Sequence, residues 1–149
     1  MKNKIIFINF WSKGGMRHYS DATVNILSKE YDVFYFSNYE SLILCNNKIF
    51  KLSLNPLNIK NYRQLFFIYK EIIKIKPDVV HLNSGYPMLF PIYFLFYFFN
   101  FVITVHDAII HEGESLVKKI FHKIQLFTFS IFFKKIIVHS DKIKNQRQK

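Results

Sequence analysis

Short, uninterrupted apolar runs recur along this chain, and segments with a helical repeat separate them. That alternation narrows the accessible folds more than any other feature. Lys4–Phe10 is the first run, of the kind buried on both faces of a parallel sheet. Asp32–Ser37, β-branched and aromatic, reads as a second strand, and Lys48–Leu54 as a third. Asp78–Leu82, Phe101–Val105 and Lys135–His139 follow as the fourth, fifth and sixth. Between them His18–Glu30 places Tyr19, Ala22, Ile26 and Leu27 on one helical stripe. Asn58–Lys76 repeats Tyr62, Leu65, Phe66, Tyr69, Ile72 and Ile73 at three- and four-residue steps, and Pro77 stops it. Leu116–Phe133 carries Val117, Ile120, Phe121, Ile124, Phe127 and Ile131, with Ser115 as N-cap. Strands alternating with helices along the whole length predict an α/β, Rossmann-like parallel sheet of about six strands with helices on both faces. The near-continuous apolar character of the first, fourth and fifth strands places them together near its centre.

The chain has 149 residues, enough for one domain. Half of them are hydrophobic, which excludes disorder as a global state. The lone Cys45 excludes a disulfide framework and a multi-cysteine zinc site. The N-terminus is not expected to be a signal peptide: Asn9 interrupts its apolar run, and Ser12-Lys13-Gly14-Gly15 follows without a cleavage pattern. From Leu82 to Val105 no charged residue or histidine occurs, and that stretch is long enough to span a bilayer. Pro87, Pro91 and Asn100 divide it, however, into a helix over Met88–Phe99 and a strand over Phe101–Val105.

Ligands of parallel sheets bind beyond the carboxyl ends of the strands, so the residues that follow each strand carry the functional information. After the first come Gly14, Gly15, Arg17 and His18; after the fourth, Asn83, Ser84 and Gly85; after the fifth, His106 and Asp107; after the sixth, Ser140. Gly14-Gly15 opens a helix, where bare backbone and free N–H groups can cradle a phosphate; the same pair also serves as a tight turn with no ligand. It matches neither the dinucleotide fingerprint nor a P-loop. His106 at a strand end can donate to a phosphate or sugar hydroxyl or move a proton, with Asp107 orienting it. Equally, it can pair with a neighbouring backbone group. Nothing spaces the histidines and acids as a metal site.

The net charge of +11 is concentrated at the end of the chain: Lys118–Lys149 holds nine Lys or Arg and one acid, Asp141. Alongside an apolar stripe this suits an anionic lipid surface, though a charge run is also compatible with a solvated face. No nucleic-acid motif accompanies it, so nucleic acid is not expected as a partner.

Four segments together resemble a family. Lys4–Phe10 with Gly14-Gly15-Met16-Arg17-His18-Tyr19-Ser20 is similar to the opening of family 4 glycosyltransferases of the GT-B fold. Lys76-Pro77-Asp78-Val79-Val80-His81-Leu82 resembles their K-P-D-V-V-H strand, Val102–Asp107 their T-x-H-D strand, and Lys135–Ser140 the I-V-x-S strand that follows. The order and spacing of the four match the family across nearly the whole chain.

The resemblance implies the acceptor-binding N-terminal half of a retaining, nucleotide-sugar-dependent hexosyl or glycosyl transferase. Its usual setting is surface polysaccharide assembly, in the cytoplasm or on the inner face of the membrane. It implies that Gly14 and Gly15 approach the donor diphosphate and that His106 lies near the transferred sugar. Asp107 falls on the acceptor side, and Arg17, His18 and Asn83 line the acceptor cleft. No metal or resident cofactor is implied; the nucleotide sugar is a substrate, and the acceptor is a sugar or a lipid-linked sugar. The chain stops just after Ser140, before the linker, the donor-binding domain and its Glu-x₇-Glu element. The expectation is therefore a single, incomplete domain over residues 1–149, inactive alone: a fragment, an interrupted product or the acceptor subunit of a split enzyme whose donor-binding half is a separate chain. The contrasting expectation is a small, non-enzymatic membrane-associated protein.

Overall fold

All six expected strands form, and they lie parallel in one sheet of order β3-β2-β1-β4-β5-β6. The computed structural model describes residues 2–10, 15–41, 46–49, 59–83, 99–106, 115–133 and 135–138. The elements in chain order are β1 (Lys4–Asn9), α1 (Gly15–Leu27), β2 (Asp32–Ser37), β3 (Asn46–Ile49), α2 (Ile59–Ile75), β4 (Val79–Asn83), β5 (Phe101–Val105), α3 (Leu116–Phe132) and β6 (Lys135–Val138). Parallel neighbours cannot be joined by tight hairpins, so the chain crosses over between strands. β1, β4 and β5 are adjacent near the centre, as their apolar sequences require. The start of β4 is pinned to the start of β1: the Lys4 amide donates to the Asp78 carboxylate at 2.8 Å, and the Asp78 amide donates to the Lys4 carbonyl at 2.9 Å.

Register sorts the side chains by face. Ile6 pairs with Phe34 and Val80, and Ile8 with Phe36 and Leu82; Leu82 pairs in turn with Ile103. With Leu65, Ile68, Ile72 and Ile75 of α2, and with Phe129 and Phe133 at the end of α3, these residues build the larger core. Phe133 stands edge-on to both Phe101 and Phe129, each at 5.5 Å between ring centres. On the opposite face Ile5, Phe7, Val33 and Tyr35 pack with Val24 of α1 in a smaller cluster. α2 ends with Lys76 in the left-handed region (φ 53°), and Pro77 follows, so the helix cannot continue.

Several expectations require correction. β3 begins two residues before Lys48, and Phe50–Leu54 lie outside the described residues. In α1 the buried side chains are Ser20 and Val24, while Ala22 and Ile26 are exposed. The stripe is rotated because the polar row described below takes Ser20 inward. In α2 the buried seam is Asn61, Leu65, Ile68, Ile72 and Ile75, leaving Tyr62, Phe66 and Ile73 of the expected stripe exposed. In α3 the difference is larger. Ile120, Ile124, Phe127 and Ile131 are 50 to 68% exposed, whereas Thr128 and Phe129 are buried. Both helices carry apolar residues on more than one face, so periodicity alone does not select the buried one. Phe101–Val105 is a paired strand, which removes it from any single span over Leu82–Val105. Among the described residues no helix is long and apolar enough to cross a membrane. The Met88–Phe99 helix, apart from Phe99, and the polar stretch from Asp141 lie outside the described residues.

Candidate functional site

The carboxyl ends of the strands carry a row of polar side chains that the apolar sequence pattern would not place in a core. Asn9 of β1 is in register with Ser37 of β2 and Asn83 of β4, and Asn83 is in register with Thr104 of β5. All four are fully buried on the face that α1 covers. A buried polar group without a partner costs roughly 1–3 kcal/mol, so this row persists only because it is hydrogen-bonded.

Two networks supply those bonds, and both reach the first turns of α1. On the β4–β5 side the His106 ring meets the Asn83 side-chain oxygen through Nε2 at 2.6 Å. The Asn83 amide nitrogen donates to Ser20 Oγ at 2.5 Å, and the Ser20 hydroxyl donates to the Met16 carbonyl at 2.9 Å. Tyr19 packs edge-on against His106, 5.0 Å between ring centres. Two residues back along β4, His81 Nε2 bonds Thr104 Oγ1 at 2.7 Å, and Phe7 stands against its ring at 4.6 Å. Burial, and secondarily the charge of nearby His106, lowers the His81 pKa to about 4, so His81 is neutral at pH 7.

On the β2 side Tyr39 is the hub. Its hydroxyl donates to the Asp21 carboxylate at 2.8 Å and accepts from the Tyr35 hydroxyl; the Ser37 hydroxyl donates to the Tyr39 carbonyl. Burial pushes the Tyr39 pKa up to about 12 and holds the Tyr35 phenol higher still, so both stay protonated. The Arg17 guanidinium lies 4.6 Å from the Tyr39 ring centre, with Nε 3.9 Å from the Asp21 carboxylate. Asp21 is thereby held between a cation and a phenol on one turn of helix.

Of the residues singled out from sequence, Asn83 and His106 touch, and Gly15, Arg17 and His18 sit on the first turn of α1 at the same rim. Among the described residues, a Cβ built on Gly15 would meet nothing within 4 Å. His18 is exposed, whereas Asn83 is buried and meets the rim through His106. Gly14, Ser84, Gly85, Asp107 and Ser140 lie outside the described residues. Sequence reasoning missed Ser20, Asp21, Tyr39, His81 and Thr104. Asp21 had a signal, four residues after Arg17 on a helix. Thr104 and His81 needed the strand register. Among the described residues no His, Cys, Asp or Glu cluster could hold a metal ion. A shallow cavity of about 430 Å³ lined by Lys2, Lys4, Ser28, Tyr31 and Asp32 opens at the opposite end of β1 and β2, away from the polar row.

The fold is shared with solved structures. A solved glycosyltransferase from Rickettsia africae ESF-5 superposes with a TM-score of 0.61 and 18% sequence identity over 97% of this chain. The chain spans 38% of the length of that protein. No protein-family model matches the chain, and no curated protein matches it. The likeness establishes a glycosyltransferase-like, Rossmann-like α/β fold.

Proposed function

We propose that this domain is the acceptor-binding part of a retaining, nucleotide-sugar-dependent glycosyltransferase of the GT-B type, family 4, and that it does not transfer sugar alone. The observation that carries the reading is His106, anchored by Asn83 at the strand rim beside the first turn of α1, in a fold shared with a solved glycosyltransferase. In this reading Gly14 and Gly15 lie against the donor diphosphate. His106 meets the transferred sugar, Asp107 the acceptor side, and Arg17 and His18 the acceptor itself. Base and ribose contacts come from a donor-binding half, as a further domain or a separate chain. Positioning of both substrates supplies much of a transfer rate, so activity requires both halves.

Calorimetry of the isolated chain tests this. Nucleotide sugars are expected to bind in the millimolar range, about −4 kcal/mol. Micromolar affinity would show that the donor site is complete here and would refute the assignment to the acceptor half.

A second reading concerns location. Leu116, Ile120, Ile124, Phe127 and Ile131 follow one another at four-, four-, three- and four-residue steps on α3, each at least half exposed, with Lys119 and Lys123 on the same helix. An apolar stripe flanked by lysines, in a chain of charge +11, suits peripheral docking on an anionic lipid surface. Sedimentation with anionic and neutral vesicles is expected to show binding to the former only, released by high salt. Equal binding to both, insensitive to salt, would refute it.

A further inference from the structure

The hydrogen bonds around Asn83 have a direction, and that direction reaches the His106 ring. Ser20 has one hydroxyl proton, and its position 2.9 Å from the Met16 carbonyl gives that proton a destination. Ser20 Oγ then faces Asn83 as an acceptor, so the amide nitrogen of Asn83 points at Ser20 and its oxygen at His106. A carbonyl oxygen can only accept, so the imidazole nitrogen 2.6 Å away must carry hydrogen.

With the amide turned over, Ser20 would donate to Asn83 and lose its bond to Met16. The first arrangement keeps one more hydrogen bond at the fully buried Ser20 hydroxyl. Tyr19, edge-on to the ring, opposes rotation of the imidazole out of this alignment.

We infer that Ser20 and Asn83 are positioning residues that hold His106 as its Nε2–H tautomer, so that a proton gained by the ring goes to Nδ1. Protonation at Nδ1 leaves the Nε2–H bond to Asn83 in place, so the ring can gain and lose a proton without disturbing its support. The bearing of this proton site on sugar chemistry rests on the function proposed above; the tautomer does not.

The test is long-range ¹H–¹⁵N correlation of the histidine-labelled full chain, with the His106 signals identified by their loss in His106→Gln. At a pH where His106 is neutral, Nε2 is expected to resonate as the protonated nitrogen and Nδ1 as the bare one. Ser20→Ala and Asn83→Leu are each expected to shift both signals toward the average of two interconverting tautomers. If Asn83→Leu does not fold, the wild-type spectrum and Ser20→Ala still decide. An Nδ1–H tautomer in the wild type, or unaltered His106 signals in a folded Asn83→Leu chain, would overturn the inference. A locked tautomer in a chain that binds no glycoside acceptor would support the relay while counting against the proposed function, so the two fail separately.

Discussion

The two faces of the sheet are made by the same strands, yet near the carboxyl rim they differ completely. One face presents Ile8, Phe36, Leu82 and Ile103 in a single register row, all buried and apolar. One residue further along each strand, the other face presents Asn9, Ser37, Asn83 and Thr104, equally buried and all polar. A strand alternates its side chains, so a one-residue offset separates a row that stabilises from a row that supports a site. The apolar row needs only area and fit. The polar row needs a partner for every atom, and it recruits them from α1, Tyr39 and His81.

If that division is right, truncation in the apolar row gives the largest loss of stability. Leu82→Ala is expected to destabilise by about 2–5 kcal/mol in chemical denaturation while leaving the His106 environment unchanged. A cost below about 1 kcal/mol would mean that this face is not the core.

Acidification probes the polar face next. The folded pKa of His81, near 4, lies below its ordinary 6.5, so between those values the unfolded chain binds more protons. The His81 contribution is therefore complete above pH 6.5, falls as pH drops, and is lost by pH 4. Denaturation midpoints are expected to record a loss on the order of 3 kcal/mol over that window. His81→Gln should flatten the slope; an equal slope would assign it to other groups.

Thr104→Val keeps shape and removes the hydroxyl that meets His81 Nε2. A cost of about 1–3 kcal/mol is expected from the stranded ring nitrogen, more than an isosteric change would produce in the apolar row. Smaller still is Gly15→Ala. No described residue lies within 4 Å of the added Cβ, and a stability gain of at most about 1 kcal/mol is expected from helix propensity. Weaker millimolar nucleotide-sugar binding in the same variant would show that the ligand uses that space. Ile124→Ser, on the exposed stripe of α3, should change stability by no more than about 0.5 kcal/mol yet reduce binding to anionic vesicles.

The larger elements were legible because their signals are local. Asp32–Ser37 and Phe101–Val105 are strands at the bounds their composition suggests. Asn100 ahead of β5 separated strand from span, and its carbonyl accepts from the Val80 amide at 3.0 Å. What escaped was the choice of face. Ser20 reads as a polar residue on a helix and is buried because Asn83, 63 positions away, needs an acceptor. Phe127 reads as core and lies 68% exposed, while its neighbour Phe129 packs under Phe133 and the sheet. Neither fact is written within one turn of sequence; both depend on partners brought near by strand register. His106 and Asn83 were visible singly as strand-end residues, but their contact was not.

The central position of β1 also sets an order of assembly. Its β2 neighbour follows after one helix, whereas its β4 neighbour lies far along the chain: the Lys4 amide finds its Asp78 partner 74 positions later. At roughly 5–20 residues per second of synthesis, β1 waits for about 4–15 seconds with one flank open. During that interval β1, α1 and β2 can pair, but β4, β5 and the helix α3 that complete the larger core are not yet made. Completion is then governed by closure of a long loop, which makes slow refolding the natural consequence of placing the first strand in the middle.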